Sequence, residues 1–276
     1  MTERNTESVV SSTKAYYDGP ADQIYRTIWG DNIHLGVPCG DDCSHIEAME
    51  HTNQIMAEAV NLTPDTKVLD LGCGYGSTAR YLASEYGCHV TATNISEKEL
   101  QLATDRGKEA GLENLLTFEY GDFHDLKYPD GSFDIVWSQE AFLHGVDKAK
   151  ILSECKRVLV PGGTLVFTDI LVRTDTPESD RERIYDRVKS PDMWDLPDYR
   201  WALDELGFKV GRVEDWSQHV ARSYGWIRDQ VLENRTGLLE LVDEGTIDGT
   251  VNALGFWVEA AQAKKIGWAM LVAQIN

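Results

Sequence analysis

The sequence predicts a doubly wound α/β domain built on a mostly parallel, seven-stranded sheet. From Thr66 onward, short β-rich runs alternate with helical stretches, and those runs are nearly continuously apolar, as strands covered on both faces must be. At residues 68–77 the run VLDLGCGYGS turns a strand into a helix through three glycines, which leaves bare backbone for a ligand to lie against.

Each element has its own signal. Residues 13–29 read as one amphipathic helix, with Tyr16, Tyr17, Ile24, Tyr25, Ile28 and Trp29 gathered on one side, ahead of the turn-rich GDNIHLGVPCGDD. A second helix runs from the N-cap Ser44 to about Asn61. The alternation then proceeds through KVLDL, a helix over 76–86, HVTATN, a helix over 96–110, LLTFEY, FDIVWS, a helix over 148–159 and TLVFTDIL. After Asp169 it loosens into a polar segment rich in Asp and Arg. There follow a helix near 198–206, a strand over 208–213, helical stretches between 217 and 264, and a last strand WAMLVAQI. Residues 1–60 therefore form a helical lid and residues 61–276 a ligand-binding domain, with a cap inserted near 217–265.

Composition narrows the function. The chain has 276 residues, 42% hydrophobic and 26% charged, which suits one large core. Acidic residues outnumber basic ones 46 to 26, and a net charge of −20 repels phosphate backbones and anionic lipid, so neither nucleic acid nor membrane is an expected partner. With no secretory h-region and no apolar run of spanning length, the expected location is the cytoplasm. Five scattered cysteines fit reduced thiols. Cys39 and Cys43 stand near His45 and His51, but the spacing matches no common zinc finger, and no metal is expected. The oligomeric state is not legible.

The glycine spacing argues against a nicotinamide cofactor, because a dinucleotide fingerprint needs a third glycine at position 77, which is Ser. Asn94 closes the second strand, where a ribose hydroxyl is taken in nucleoside-binding domains, and Glu99 lies one helical turn past Ser96. Past the third strand, Asp122 could accept from an exocyclic amine or simply cap its loop, and Phe123 offers a ring face to a base. The fourth strand leads into Ser138, Gln139, Glu140 and His144.

DLGCGYG, NIS, GDF, PDGSFDIVWSQEAFLH and LVPGGTLVFTD, in this order over residues 60–172, resemble the class I S-adenosylmethionine-dependent methyltransferases. The resemblance implies a Rossmann-like fold, methyl transfer to a small molecule, and S-adenosylmethionine held by Asp70, Gly72, Gly74, Asn94, Ile95, Glu99, Asp122, Phe123, Ser138 and Gln139. YYDGPADQIYRTIWGDNIHLG and GFWVEAAQAKKIGWAMLV extend it to the sarcosine/dimethylglycine N-methyltransferases that make glycine betaine. Phosphoethanolamine N-methyltransferases and sugar O-methyltransferases are similar over the same segments, so the alternatives are an O- or C-methyltransferase of a sugar, phenol or isoprenoid and a phosphoethanolamine-type N-methyltransferase. Two positions depart from the pattern: Asn94 replaces a common acidic residue, and TDIL at 168–171 stands where the dimethylglycine enzymes read TDPM.

Similarity to the phosphoethanolamine enzymes implies that Tyr17 and His144 pair to latch the site and move a proton, and that Glu140 attracts a cationic acceptor. Tyr17, Tyr25 and Trp29 would form an aromatic lid offering ring faces to a methylated ammonium, or would pack as ordinary core. Arg187 and Lys189 are the candidates for an acceptor carboxylate, against a plain role in covering surface.

Overall fold

The computed structural model describes residues 6–17 and 20–275. Two helices, α1 (Thr6–Tyr17) and α2 (Pro20–Trp29), replace the single helix expected over 13–29. Pro20 lacks an N–H and fits the first turn of a new helix better than the interior of an old one. Helix α3 (His45–Glu58) starts as the sequence predicts. Ser44 Oγ accepts from the Glu47 amide at 3.2 Å while Glu47 accepts from the Ser44 amide at 2.8 Å, closing a capping box.

The alternating region follows as β1 (Lys67–Leu71), α4 (Ser77–Tyr86), β2 (His89–Asn94), α5 (Glu97–Glu109), β3 (Leu116–Tyr120), β4 (Phe133–Gln139), α6 (Lys148–Val158) and β5 (Leu159–Val172). The polar segment that broke the pattern is itself helical, α7 (Glu178–Val188), and only Ile184 and Val188 of it are buried. Two buried side chains among so many charges give little periodic signal. The chain closes with α8 (Leu196–Glu205), β6 (Phe208–Asp215), α9 (Val220–Glu233), α10 (Arg235–Leu238), α11 (Glu244–Gln262) and β7 (Ile266–Ile275).

The strand order is β3-β2-β1-β4-β5-β7-β6, with β7 antiparallel to both neighbours and the first five strands parallel. The order reverses at β1, and a crevice opens beyond the carboxyl ends of strands at such a switch point. Register aligns the exits: Leu71 pairs with Thr93 on one side and Ser138 on the other, so β1, β2 and β4 release their chains at one level. Side chains alternate between two buried clusters. Val68, Ile135, Trp137 and Val166 face the first, together with Ile24 and Trp29 of α2, Ile227 of α9 and Trp257 of α11. Leu69, Val136, Leu165 and Phe167 face the second, against Ile151 of α6 and Leu203 of α8. Among the described residues no helix is long and apolar enough to cross a membrane.

The cysteine expectation needs correcting. Cys39 and Cys43 form a disulfide, because the turn before α3 brings their Cα atoms to 5.5 Å, while Cys73, Cys88 and Cys155 are free thiols. Glu47 lies near the two sulfurs. The two histidines are engaged elsewhere: His45 stacks on Trp226 with ring centroids 4.3 Å apart, and His51 Nδ1 bonds the Val37 carbonyl at 3.0 Å.

Candidate active site

A cleft of about 880 Å³ opens at the switch point. It is lined by Gly72 and Gly74, both at positive φ (78° and 50°), and by Asp70, Asn94, Ile95, Glu99, Phe123, Gln139, Glu140 and His144. The loop packs so closely that a Cβ on Gly72 would fall 2.4 Å from that of Ala141, and one on Gly74 3.0 Å from Ile33 Cδ1. Asp70, at the end of β1, is buried, and its Oδ2 has no protein hydrogen-bond partner among the described residues. Burial pushes its carboxyl up to about 7. Asn94 Nδ2 donates to Glu99 Oε2 at 2.6 Å, joining the end of β2 to the first turn of α5, which Ser96 caps.

Three of the expected contacts sit differently. Ser138 is fully buried and donates to the Leu71 carbonyl at 2.9 Å, so its hydroxyl ties β4 to β1 and lies outside the cleft lining. Asp122 also falls outside that lining, between Gly121 and Phe123, which belong to it. Its Oδ1 accepts from the His124 amide at 2.9 Å and from His124 Nδ1 at 2.7 Å, and His124 Nε2 accepts from the Val146 amide at 3.1 Å. The carboxylate is thus held against the loop that carries His144, and these bonds keep its pKa low despite burial. Gln139 reaches the cleft with its amide engaged: Oε1 accepts from Thr78 at 2.7 Å and Nε2 donates to Asn53 at 3.0 Å.

A second cavity of about 500 Å³ adjoins the first, lined by Trp29, Leu35, Leu143, Ile170, Arg187, Val188 and Tyr224. Ile33, His34, Glu140 and His144 line both, so they mark the junction. Glu140 leaves β4 in the left-handed region at φ 45°, a strained turn for a residue with a Cβ, fixed by its amide bonding the Thr168 carbonyl at 3.0 Å. Its carboxyl accepts from Trp268 Nε1, and burial raises it to about 8. His144 ends a short 3₁₀ turn; burial, then the nearby Lys148 ammonium, lowers it to about 3, so the ring is neutral. The Arg187 guanidinium lies 4.9 Å from the Tyr224 ring centroid and 4.6 Å from that of Trp257. Lys189, by contrast, pairs with Asp186 at the surface at 2.7 Å. The side chains of Tyr17 and Tyr25 lie outside the described residues.

His34 went unnoticed in the sequence, where nothing distinguishes it from a loop histidine. The segment that bears it is pinned by Asp31, which pairs with Arg80 of α4 and Arg106 of α5, both at 2.8 Å. Farther toward the N-terminus, Thr13 of α1 lines the first cleft and Lys14 pairs with Glu97 at 2.9 Å.

Residues 69–167 match the methyltransferase domain family. Among curated proteins, the chain is 36% identical to a sarcosine/dimethylglycine N-methyltransferase of Halorhodospira halochloris, over 98% of each chain. It is 30% identical to a 27-O-demethylrifamycin SV methyltransferase of Amycolatopsis mediterranei, over 94% of each. A crystal structure from Galdieria sulphuraria, provisionally named a sarcosine dimethylglycine methyltransferase, superposes with a TM-score of 0.87 at 29% identity, covering 94% of this chain and 98% of that one. The first cleft suits a nucleoside that carries an amino acid. The buried Asp70 oxygen calls for a cation, Gly72 and Gly74 offer bare backbone, Asn94 and Glu99 offer polar groups for hydroxyls, and Phe123 offers a ring.

Proposed function

Because this chain belongs to the S-adenosylmethionine-dependent methyltransferases, we propose that it methylates the nitrogen of sarcosine or dimethylglycine, ending in glycine betaine. The observation that carries the reading is the polarity of the second cavity. Glu140 stands at the junction with the cofactor cleft, and Arg187, stacked on Tyr224 and Trp257, lines the acceptor side. A zwitterionic amino acid fits this layout with its ammonium toward Glu140 and its carboxylate on the guanidinium. The Halorhodospira relative, matched over nearly its whole length, supports the same choice.

The bound cofactor supplies an electrophilic methyl group on a sulfonium; the chain's own task is to align and dehydrate. Asp70 takes the amino-acid ammonium, Asn94, Ile95 and Glu99 hold the ribose, and Phe123 packs on the adenine. Asp122, bonded to His124 outside the cleft lining, orders the loop that presents Phe123, and Gln139 fixes the floor at the end of β4. Apolar walls from Leu35, Leu143 and Ile170 exclude water from the acceptor, and that raises the worth of each charge inside. Glu140 ionises when a cation enters and so draws the nitrogen to the junction. The Glu140 carboxylate, raised to about 8, is the stronger base there and takes the nitrogen's proton, which leaves the neutral His144 to line the junction, while Trp29 and the N-terminal helices, with Tyr17 and Tyr25, close the lid.

The relative that acts on 27-O-demethylrifamycin SV keeps an O-methyltransferase reading in view. A buried carboxylate at the junction favours the amine, since its charge attracts a cationic nitrogen more strongly than a neutral hydroxyl. Purified enzyme incubated with labelled S-adenosylmethionine and, separately, sarcosine, dimethylglycine, phosphoethanolamine and a phenol panel decides the matter. Label in glycine betaine is the expected result; label only in phosphoethanolamine or in a phenol ends the sarcosine/dimethylglycine reading.

A further inference from the structure

We infer that His34 reads the hydrogen on the methyl-accepting nitrogen, holding substrates that carry an N–H and releasing the fully methylated product. The inference rests on the amine reading above and names the residue that sets its selectivity.

His34 is one of four residues that line both cavities, so it stands where the methyl group must cross. Its tautomer follows from its partner. Nδ1 lies 3.0 Å from the Leu35 carbonyl, which can only accept, so Nδ1 carries the hydrogen and Nε2 keeps a lone pair. Thr52 Oγ1 donates to the same carbonyl at 3.2 Å and to that of Ala48 at 3.0 Å, tying the anchor to α3. His34 is 5% exposed, and its Nε2 is sealed from water with no protein partner among the described residues. A buried acceptor left without a donor costs stability, and the loss is recovered when a ligand brings one. Burial also keeps the ring neutral, lowering it to about 4, so the lone pair stays available at working pH. His45 makes the contrast: equally sequestered, it stacks on Trp226 and lines neither cavity.

The ammonium of sarcosine or dimethylglycine has an N–H to donate to Nε2, whereas the quaternary nitrogen of glycine betaine has none. The nitrogen first gives up a proton to the Glu140 carboxylate, which frees the lone pair that takes the methyl group from the sulfonium; once quaternary, the nitrogen has no hydrogen left to donate and ends beside a lone pair it cannot satisfy.

The test is calorimetric titration of dimethylglycine and of glycine betaine into the full chain saturated with S-adenosylhomocysteine, for the wild type, His34→Leu and His34→Gln. The Leu variant should bind dimethylglycine about ten- to hundredfold more weakly, the worth of a hydrogen bond to a charged group, with betaine affinity changed by less than about twofold. The Gln variant, which keeps an acceptor, should recover part of the loss, and an unchanged circular dichroism spectrum certifies the fold. Should the Leu variant not fold, nitrogen NMR of the wild type decides: the His34 Nε2 resonance should move with dimethylglycine and stay with betaine. Equal loss of both ligands in the Leu variant, or an unmoved resonance, overturns the assignment while leaving the amine reading intact. A wild type that binds S-adenosylhomocysteine but no dimethylglycine overturns the amine reading and this inference with it.

Discussion

The two cavities meet at four residues, yet they are built in different ways. The cofactor cleft is assembled largely from consecutive strand ends of one sheet, between Asp70 and His144, whose common level is fixed by the pairing of Leu71 with Thr93 and Ser138. The acceptor cavity draws on α2, the loop before α3, the turn after β4, β5, α7 and α9, elements more than a hundred residues apart. The first is a property of the sheet and tolerates change in the helices around it. The second exists only because those helices return to one place, which lets acceptor choice change while the cofactor site is kept.

The largest expected effect falls on the cleft. Gly74→Val would put a branched side chain at φ 50° and press it on Ile33, so the folded variant should bind S-adenosylmethionine at least about a hundredfold more weakly by calorimetry. Wild-type affinity in a folded Gly74→Val protein would dissolve the cofactor assignment.

A smaller, selective effect belongs to the acceptor side. Arg187→Met should raise the acceptor KM about ten- to hundredfold, the loss of a charge-assisted contact, and leave cofactor affinity alone. Arg187→Lys should restore little, because an ammonium cannot lie flat on Tyr224 and Trp257 as the guanidinium does. Parallel losses for both ligands would show that the two cavities are one unit.

The buried carboxyls give a pH signature of the ligand-free protein. Glu140 is raised from 4.5 to about 8 and Asp70 from 3.8 to about 7, so each folded group holds its proton more firmly than the unfolded one. Stability from each is full below its unfolded value and lost as pH rises through its folded value. His34 and His144, lowered from 6.5 to about 4 and about 3, act oppositely: their stability is present above 6.5 and lost as pH falls. Above pH 6.5 the carboxyls therefore dominate. The melting temperature should fall between about pH 6.5 and 8, and Glu140→Gln should flatten that decline. An unchanged slope in the variant would mean that Glu140 ionises freely in the empty site.

The smallest effect tests Ser138, which the motif assigns to the cofactor and the structure to the sheet. Ser138→Ala should cost about 1 kcal/mol of unfolding free energy, the net worth of one hydrogen bond, with S-adenosylmethionine affinity unchanged.

Strand positions, the glycine turn, the Ser44 and Ser96 caps and the cleft residues between Asp70 and His144 were legible in the sequence. Each is set by short-range rules: apolar runs make strands, glycine admits positive φ, and a hydroxyl caps the helix that follows it. Helix α7 and the break before Pro20 were not, because charge hid one period and a shared apolar face masked the other. Nor could local pattern tell that Ser138 is spent on a neighbouring strand, that Asp122 is held by His124, that Cys39 meets Cys43, or that His34 stands at the junction. By itself the sequence determined the sheet and the cofactor end, where chemistry and backbone are neighbours along the chain. Only the tertiary structure decided the acceptor end, because burial, tautomer and charge at His34, Glu140 and Arg187 depend on which distant segments close around them.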